Sequence, residues 1–501
     1  MEKKDFKKLR FYEIYPTSFY DSNGDGIGDL RGITMKLDYV KELGFNAIWF
    51  NPFFKSPFKD GGYDVSDFFD IDPRFGTLED YKEMVKAAHE KGLLIIIDLV
   101  AGHASVDNKD FIKSAQQEKN EYSDLFIWNN SVWERDGGVY QMISGMFQRD
   151  ACYMVNFFAH QPAFNYGFNK IEKPWQISYK DKRCEMARNY LLKIMRFWLD
   201  LGTDGFRVDM AESLVKNDWE SGHLATIELW NYFFDIIKKE YPDSFFVAEW
   251  SNPSKAFKAN FDCDFVLDVA SNYYHKMFRG DEKAGEIAII NSGNDIQNAV
   301  EDLKIRVNES IKFNKYLGNI SGNHDTPRIA DYLEGEKLKL FYMFEYFLPG
   351  IPFVFYGDEL EMKTGHVKFK DGGYYRTGAR IPMIWDNIGK NHGFSTTTGE
   401  TYLPFDERNK ISVESALNDE TSLYYFIKEL NAIKEKNEEL NELDTKIELE
   451  GRVLKIKRGN RFELIVNYSD CDYAIKGKTI IASCYIKNSM LRPYNAVLLE
   501  N

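Results

Sequence analysis

Four short segments of the sequence place charged or imidazole side chains at the end of a run of apolar residues. Packing alone does not require polar groups at these positions, and the four segments share the same pattern. The side chains are, in chain order, Asp98 with His103, Arg207 with Asp209, Glu249, and Asn323 with His324 and Asp325. The pattern indicates a site that is assembled at the ends of several strands.

Two of these segments carry carboxylates that could share one reaction. Arg207 and Asp209 are two residues apart, so their side chains point to the same face of a strand, and the cation keeps the carboxylate ionised and oriented, as a nucleophile needs. Glu249 follows four apolar residues, and burial among them would raise its pKa and suit it to be a general acid. Two carboxylates on neighbouring strands can approach to about 5–5.5 Å, the separation used in retaining glycoside hydrolysis.

A simpler interpretation is that acidic residues near strand ends only cap the helices that follow. One strand end would not separate the two interpretations. Four strand ends with the same pattern favour the catalytic one.

The elements that must position these groups are eight apolar runs of strand length. The runs are continuous rather than alternating, which is typical of strands buried on both faces of a parallel sheet. They lie at 11–16, 46–52, 93–100, 205–210, 245–250, 263–268, 317–322 and 352–357. Amphipathic segments of helical period, such as 78–92, 190–201 and 225–239, lie between them. This alternation predicts an α/β fold, a (β/α)8 TIM barrel, with a doubly wound open sheet as the structural alternative.

Two parts of the chain depart from the βα repeat. Residues 104–182 are rich in aromatic residues, Asn and Gln and are too long for a connecting loop, so they predict an inserted subdomain after the third strand. After about residue 437 the pattern changes to short alternating runs, which predict a C-terminal antiparallel β-sandwich. We therefore expect a barrel of residues 1–103 and 183–437, an inserted subdomain of residues 104–182 and a sandwich of residues 438–501.

The composition argues against several classes of protein. The 501 residues are 44% apolar and 28% charged, which is ordinary for a globular protein. The net charge of −14 disfavours a nucleic-acid partner. The five cysteines form no CxxC pair, so neither a disulfide scaffold nor a thiolate zinc site is indicated. No apolar run is long enough to span a membrane and the Lys-rich start has no signal-peptide core, so we predict a soluble cytoplasmic protein without a membrane partner.

The ordered motifs resemble those of glycoside hydrolase family 13, the α-amylase family, and within it the oligo-α-glucosidase branch. DLVAGH (98–103), GFRVDM (205–210), the Glu of FFVAEW (245–250) and GNHD (322–325) match successive signature regions of that family. The similarity covers nearly the whole chain, including the insertion after the third strand. It implies a TIM barrel and a retaining, exo-acting α-glucosidase that hydrolyses short α-glucosides or oligosaccharides through a covalent β-glycosyl-enzyme.

The resemblance also implies a role for each strand-end residue. Asp209 would be the nucleophile, Glu249 the acid and then the base, and Asp325 the group that binds sugar hydroxyls in the transition state. Such contacts accelerate the reaction if they tighten as the sugar ring becomes oxocarbenium-like. The other roles would fall to His103 and His324 at the hydroxyls of the same ring, Arg207 beside the nucleophile, and Asp98 as a brace.

The segment KDGGYD after the second strand resembles the part of the family that receives the far end of the substrate. Tyr63 would stack on the sugar, and Asp60 would grip its non-reducing end, as in exo-acting members. The family's arginine partner for this acid is Arg376, Arg380 or Arg408, which the sequence does not separate. We take Arg408 as the expected substrate-binding residue.

A metal site is predicted in the loop DSNGDGIGD, which has the oxygen spacing of an EF-hand without its final Glu, because Gly32 stands in that place. The expected ligands are Asp21, Asn23, Asp25, the backbone carbonyl of Ile27, and Asp29. Related glucosidases hold Ca²⁺ or Mg²⁺ on such a loop. We expect a structural Ca²⁺, with Mg²⁺ as the alternative ion, a metal-free turn as the alternative structure, and no organic cofactor.

The motifs leave the fate of the glycosyl-enzyme open. A transglycosylating or isomerising relative of the sucrose or trehalose type, or a phosphorylase, would share the covalent intermediate and differ only in what attacks it. A catalytically silent scaffold is a further alternative, against which the complete set of acids argues. Met210 follows Asp209 where the branch often has Val or Ala, so the preference for α-1,6 or α-1,4 linkages stays open, as does the oligomeric state.

Overall fold

The computed structural model describes residues 5–134, 140–144, 147–266, 273–280, 287–367 and 370–501. Within these residues the strands are β1 (Phe11–Ile14), β2 (Ala47–Phe50), β3 (Phe54–Lys55), β4 (Asp67–Ile71), β5 (Leu94–Val100), β6 (Met142–Ile143), β7 (Tyr153–Met154), β8 (Gly205–Asp209), β9 (Phe245–Ala248), β10 (Cys263–Phe265), β11 (Tyr316–Ile320), β12 (Ile351–Phe355), β13 (Thr445–Glu450), β14 (Val453–Arg458), β15 (Phe462–Asn467), β16 (Tyr473–Ala474), β17 (Lys478–Ala482), β18 (Met490–Leu491) and β19 (Asn495–Glu500).

The helices are α1 (Leu30–Met35), α2 (Leu37–Glu42), α3 (Leu78–Glu90), α4 (Lys109–Ser114), α5 (Glu185–Asp200), α6 (Leu224–Glu240), α7 (Pro253–Lys258), α8 (Tyr273–Phe278), α9 (Ile289–Ser292), α10 (Ile296–Phe313), α11 (Glu336–Phe347), α12 (Val413–Leu417) and α13 (Leu423–Lys436). The amphipathic segments predicted as helices lie in α3, α5 and α6. A capping box in which Thr77 and Asp80 bond each other's backbone amides begins α3, satisfying donors that the first turn leaves free. None of the described helices is long and apolar enough to cross a membrane.

Eight parallel strands close into a barrel in the order β1, β2, β5, β8, β9, β10, β11 and β12. Each predicted run overlaps one of these strands, with β11 and β12 beginning one residue before their runs, so the predicted TIM barrel is confirmed and the open sheet is excluded. The sixth run, 263–268, extends into residues 267 and 268, which lie outside the described residues.

Alternation along the strands explains both the barrel interior and the place of the polar groups. Phe245 and Val247 pack inside the barrel with Trp49 and Phe353, whereas Phe246 belongs to the core outside it. Successive residues of a strand face opposite sides, so the residue two positions after Val247 also points toward the barrel axis. Glu249 occupies that position.

The rest of the chain adds a subdomain and a sheet to the barrel. The segment between β5 and α5 contains α4 and the short hairpin β6–β7 among loops. At the end of the chain, β13, β14, β15, β19 and β17 form an antiparallel sheet, and β16 pairs with β18 in a separate ribbon. This sheet confirms the predicted antiparallel C-terminal unit, and the short strands β16 and β18 were not predicted.

Candidate active site

A cavity of about 560 Å³ opens at the carboxyl ends of the barrel strands. Strand ends and the loops that follow them supply its walls. The lining residues include most of the predicted site and several others: Asp60, Tyr63, His103, Phe157, Asp209, Met210, Glu212, His223, Glu249, Trp250, Ser251, Asn252, Lys255, Arg306, Asp325 and Arg376.

One buried guanidinium holds the two proposed reacting acids together. Arg207 is 1% exposed, and its Nη1 donates to Asp209 Oδ1 at 3.0 Å while its Nη2 lies 2.6 Å from Glu249 Oε1. The same Nη1 also donates to Asp98 Oδ1 at 2.5 Å. The register of β5 on β8 places Asp98 beside Arg207 in the neighbouring strand. The two acids on adjacent strands therefore face one cation and one cavity.

The surroundings of Glu249 differ from those predicted from its sequence neighbours. Its carboxylate contacts Arg207 and accepts a hydrogen bond from the Met210 amide at 2.8 Å, and 19% of its side chain is exposed. The apolar residues before it turn their side chains into the barrel interior or the outer core and do not enclose the carboxylate. The expectation of an apolar environment was wrong because neighbours in a strand do not share a face.

The carboxylates around Arg207 resist ionising together. Burial, followed by the charge of Glu249, raises the pKa of Asp209, and Arg207 opposes this rise. Burial raises the pKa of Asp98 to about 6 in spite of its bonds to Arg207. Close, buried carboxylates of this kind share protons as a unit, so one of a pair can be an acid while the other is a base.

A second network joins Tyr63, which lines the cavity, to His324, which is fully buried and is not among the lining residues. The Tyr63 hydroxyl lies 2.7 Å from His324 Nε2 and donates to Asp98 Oδ2 at 3.1 Å. The other ring nitrogen of His324 lies 2.9 Å from Glu13 Oε1 and 2.8 Å from Asn51 Nδ2. Burial lowers the pKa of His324 well below its usual value, which keeps the ring neutral.

Glu13, Asn51 and Trp49 also belong to this network, and their sequence motifs did not predict it. Trp49 donates its indole hydrogen to Asp98 Oδ2 at 2.9 Å, and Glu13 and Asn51 both contact His324 Nδ1. A charged residue inside the apolar strand β1 is the one sequence feature that could have pointed to Glu13.

His103 lies in the wall of the cavity with both ring nitrogens bonded to the protein. Its Nε2 is 3.2 Å from the Tyr63 carbonyl oxygen and its Nδ1 is 3.2 Å from Asn156 Nδ2. Burial lowers its pKa to about 3, so the ring is neutral. Binding of a sugar hydroxyl by His103 stays a prediction.

Arg376 closes one end of the cavity. It donates to Asp60 Oδ1 at 3.1 Å and lies 3.2 Å from Asp325 Oδ2, while Gln161 donates to the other oxygen of Asp60 at 2.7 Å. Arg380 donates to Asp325 Oδ1 at 2.7 Å. Burial acts to raise the pKa of Asp325, but the guanidinium groups of Arg376 and Arg380 hold it well below the usual range.

The choice of Arg408 among the three arginines was wrong. Arg408 donates to Asp406 at 2.9 Å and to the Thr364 carbonyl oxygen, is 40% exposed and does not line the cavity. A carboxylate two residues away satisfies its guanidinium locally. Arg376 lies 316 residues from Asp60 in sequence, so only tertiary packing brings the two together.

The predicted metal loop is folded around its own hydrogen bonds. Asp21 accepts from the amides of Asn23, Gly24 and Gly26 and from the Ser395 hydroxyl, so all four of its acceptor positions are used. The remaining acidic and amide side chains behave alike, with Asn23, Asp25 and Asp29 accepting from backbone amides nearby. In the described ranges no three His, Cys, Asp or Glu side chains converge as a metal site. Asp21 would therefore have to exchange one of its hydrogen bonds for an ion, and the calcium prediction stays a prediction.

Comparison with known proteins gives one family for this architecture. The family model described as "Alpha amylase, catalytic domain" matches residues 13–442. Maltase A2 of Drosophila melanogaster is 31% identical over 435 residues, covering 80% of this chain and 73% of the relative. Oligo-1,6-glucosidase of Bacillus cereus is 29% identical over 504 residues, covering 87% and 85%. The solved structure of Bacillus licheniformis trehalose-6-phosphate hydrolase has a TM-score of 0.81 at 23% identity and covers 99% of both chains, which supports the fold.

Proposed function

The chain belongs to the α-amylase family of glycoside hydrolases, and on that basis we propose that it is a retaining, exo-acting α-glucosidase of short α-glucosides. The maltase and the oligo-1,6-glucosidase among its relatives support this choice within the family.

The observation that carries the proposal is the shared contact of Asp209 and Glu249 with Arg207. One guanidinium touches both carboxylates, so they are neighbours in one wall of the cavity. Retaining enzymes need close carboxylates, at about 5–5.5 Å, whereas inverting enzymes leave a gap for water between them. The arrangement supports retention of configuration.

In the first step, Asp209 attacks the anomeric carbon of the bound glucosyl unit. Glu249 gives its proton to the glycosidic oxygen, the bond from that oxygen to the anomeric carbon breaks, and the leaving group departs as an alcohol. The product on the enzyme is a β-glucosyl ester of Asp209. Arg207 donates a hydrogen bond to Asp209 and so holds the attacking carboxylate in its orientation.

In the second step, Glu249 acts as a base toward water. It removes a proton as the water oxygen attacks the anomeric carbon, and the ester bond to Asp209 breaks. Two inversions return the α configuration, and both carboxylates regain their starting protonation. Asp325, held ionised by Arg376 and Arg380, is placed to accept hydrogen bonds from hydroxyls of the ring.

The closed end of the cavity supports exo action. At that end Asp60 accepts hydrogen bonds from both Arg376 and Gln161, and these side chains would have to separate before a chain could continue beyond the glucosyl unit. Asp60 also has a carboxylate that can receive the hydroxyls of a non-reducing end.

Hydrolysis of p-nitrophenyl α-glucoside tests the proposal. We expect turnover with α-glucose as the first product in a proton NMR time course, and a loss of about 10⁴-fold or more for Asp209→Asn, because the nucleophile is removed. Asp235→Asn, at an exposed position of α6, is the matched control and should keep full activity. Activity retained by Asp209→Asn, or β-glucose as the first product, would overturn the assignment.

We also propose that the enzyme works in the cytoplasm on small saccharides. All five cysteines are unpaired in the structure, and three of them are buried, which suits a reducing compartment. The acidic charge of the chain supports the absence of a nucleic-acid partner.

A further inference from the structure

The two acids divide the cavity into two halves. Asp60 and Arg376 close the half that receives the glucosyl unit, and Glu249 protonates the oxygen on the other side of the scissile bond. The leaving group therefore lies along the residues that follow Glu249 and Asp209 in sequence. We assign to this half the described lining residues that lie between positions 210 and 306, with Glu249 at the boundary: Met210, Glu212, His223, Trp250, Ser251, Asn252, Lys255 and Arg306.

Three side chains in the leaving-group half keep a buried polar atom without a hydrogen-bond partner in the described structure. They are Glu212 at Oε2, His223 at Nδ1 and Ser251 at Oγ. In the glucosyl half, the described lining residues Asp60, Tyr63, His103, Asp325 and Arg376 have no such atom. Buried polar atoms are nearly always paired in folded proteins. Three unpaired ones in one wall of the cavity are available to the hydroxyl groups of a ligand on that side.

The same half carries positive charge that the protein does not neutralise. Lys255 is half-buried on α7 and takes part in no ion pair or side-chain hydrogen bond within the described residues. Burial and, next to it, the charge of Lys255 lower the pKa of His223. The side chains of Lys255 and His223 therefore lie close together. Arg306 lines the same wall and uses its Nε for Asp302 at 2.9 Å.

The negative charges of the cavity are concentrated elsewhere. Asp60, Asp209 and Asp325 surround the glucosyl unit, where Arg207, Arg376 and Arg380 balance them. Among the described residues that line the leaving-group half, Glu212 is the one further carboxylate, and burial raises its pKa to about 7, so near neutrality it is partly protonated. The described part of the wall in that half is therefore cationic, through Lys255 and Arg306, although the chain as a whole is acidic.

We propose that the preferred leaving group is a hydroxylated anion, a sugar phosphate or a sugar acid, whose charge is bound by Lys255. Ser251, His223 and Glu212 would hold its hydroxyl groups. The inference rests on the proposed α-glucosidase activity and names the class of substrate that this activity would act on.

The test compares substrates that share the glucosyl unit and differ in the charge of the leaving group. Maltose is compared with maltose that carries a 6-phosphate on its reducing glucose, and α-glucosyl-glycerol with α-glucosyl-glycerate. A charge-assisted contact in a partly buried site corresponds to about tenfold or more in affinity. We expect kcat/KM to be about tenfold higher for the charged member of at least one pair, and the pair that responds identifies phosphate or carboxylate.

Two variants show whether Lys255 is responsible. Lys255→Gln should lower the ratio of kcat/KM for the charged substrate to kcat/KM for its neutral counterpart about tenfold. Lys258→Gln, on the same helix but exposed and outside the cavity, should change neither. Raising the salt concentration should reduce the preference of the wild-type enzyme and have no such effect in Lys255→Gln.

Equal or better turnover of both neutral substrates by the wild type would overturn the inference, and so would a Lys255→Gln variant that affects charged and neutral substrates equally. Either outcome leaves the α-glucosidase assignment intact, because the neutral substrates are still cleaved. Absence of turnover for every α-glucoside would instead contradict the proposed function itself.

Discussion

Replacement of Arg207 by Met removes the cation that the carboxylates of the site share while keeping an unbranched apolar side chain in its place. Asp98, Asp209 and Glu249 would then be close together without a positive partner. A neighbouring cation lowers the pKa of a carboxyl by about 1–3 units. With a rise of about 2 units, the ionised fraction of Asp209 at a fixed acidic pH falls about 100-fold, equivalent to about 2.7 kcal/mol.

We therefore expect Arg207→Met to lower kcat/KM about 100-fold and to move the acidic limb of the pH–rate profile upward by about 2 units. The variant loses activity mainly at low pH, but it loses folding stability mainly at high pH. Carboxyls whose folded pKa exceeds the unfolded value stabilise the fold at low pH and lose that contribution as pH rises through the folded value. The melting temperature of the variant should therefore fall further below that of the wild type at pH 8 than at pH 5.

The assay is the pH profile of p-nitrophenyl α-glucoside hydrolysis, with thermal unfolding at both pH values. Arg196→Met is the matched control, because Arg196 forms an exposed ion pair with Glu240, and such pairs contribute little. Arg207→Lys should recover part of the activity, since it restores a charge but cannot contact three carboxylates at once. An Arg207→Met enzyme with an unchanged acidic limb and activity within threefold of wild type would refute the reasoning.

Three further predictions concern other parts of the molecule. Burial raises the pKa of Asp60 to about 7, so its ionisation destabilises the fold by up to about 4 kcal/mol above that pH. Asp60→Asn should therefore raise the melting temperature more at pH 8 than at pH 5, and it should lower kcat/KM. An equal or larger gain in melting temperature at pH 5 would count against this. Calcium bound by the 21–29 loop should raise the melting temperature in a way that a chelator reverses, because the ion binds only the folded chain; an unchanged melting temperature together with no heat of binding in calorimetry would leave the loop metal-free. Turnover of maltose should release two molecules of glucose with or without inorganic phosphate; formation of glucose 1-phosphate, or of an isomeric disaccharide, would identify the phosphorylase or isomerising alternative instead.

The local pattern of the sequence was sufficient for the barrel and for the acids at its strand ends. Continuous apolar runs predict strands buried on both faces, and the residues that interrupt them at their ends, such as Asp209 and Glu249, fall at the edge where parallel strands meet. These inferences need only the period of a strand and the order of residues within a few positions, which the chain carries locally.

Tertiary packing alone decided which partner each of these groups has. The sequence left three arginines for Asp60, and the fold selected Arg376, whereas Arg408 is satisfied by Asp406 two residues away. The surroundings of Glu249 were likewise set by Arg207 from the adjacent strand and not by its own neighbours. Contacts between residues distant in sequence depend on how the strands and loops pack together, and residue spacing along the chain holds no information on them.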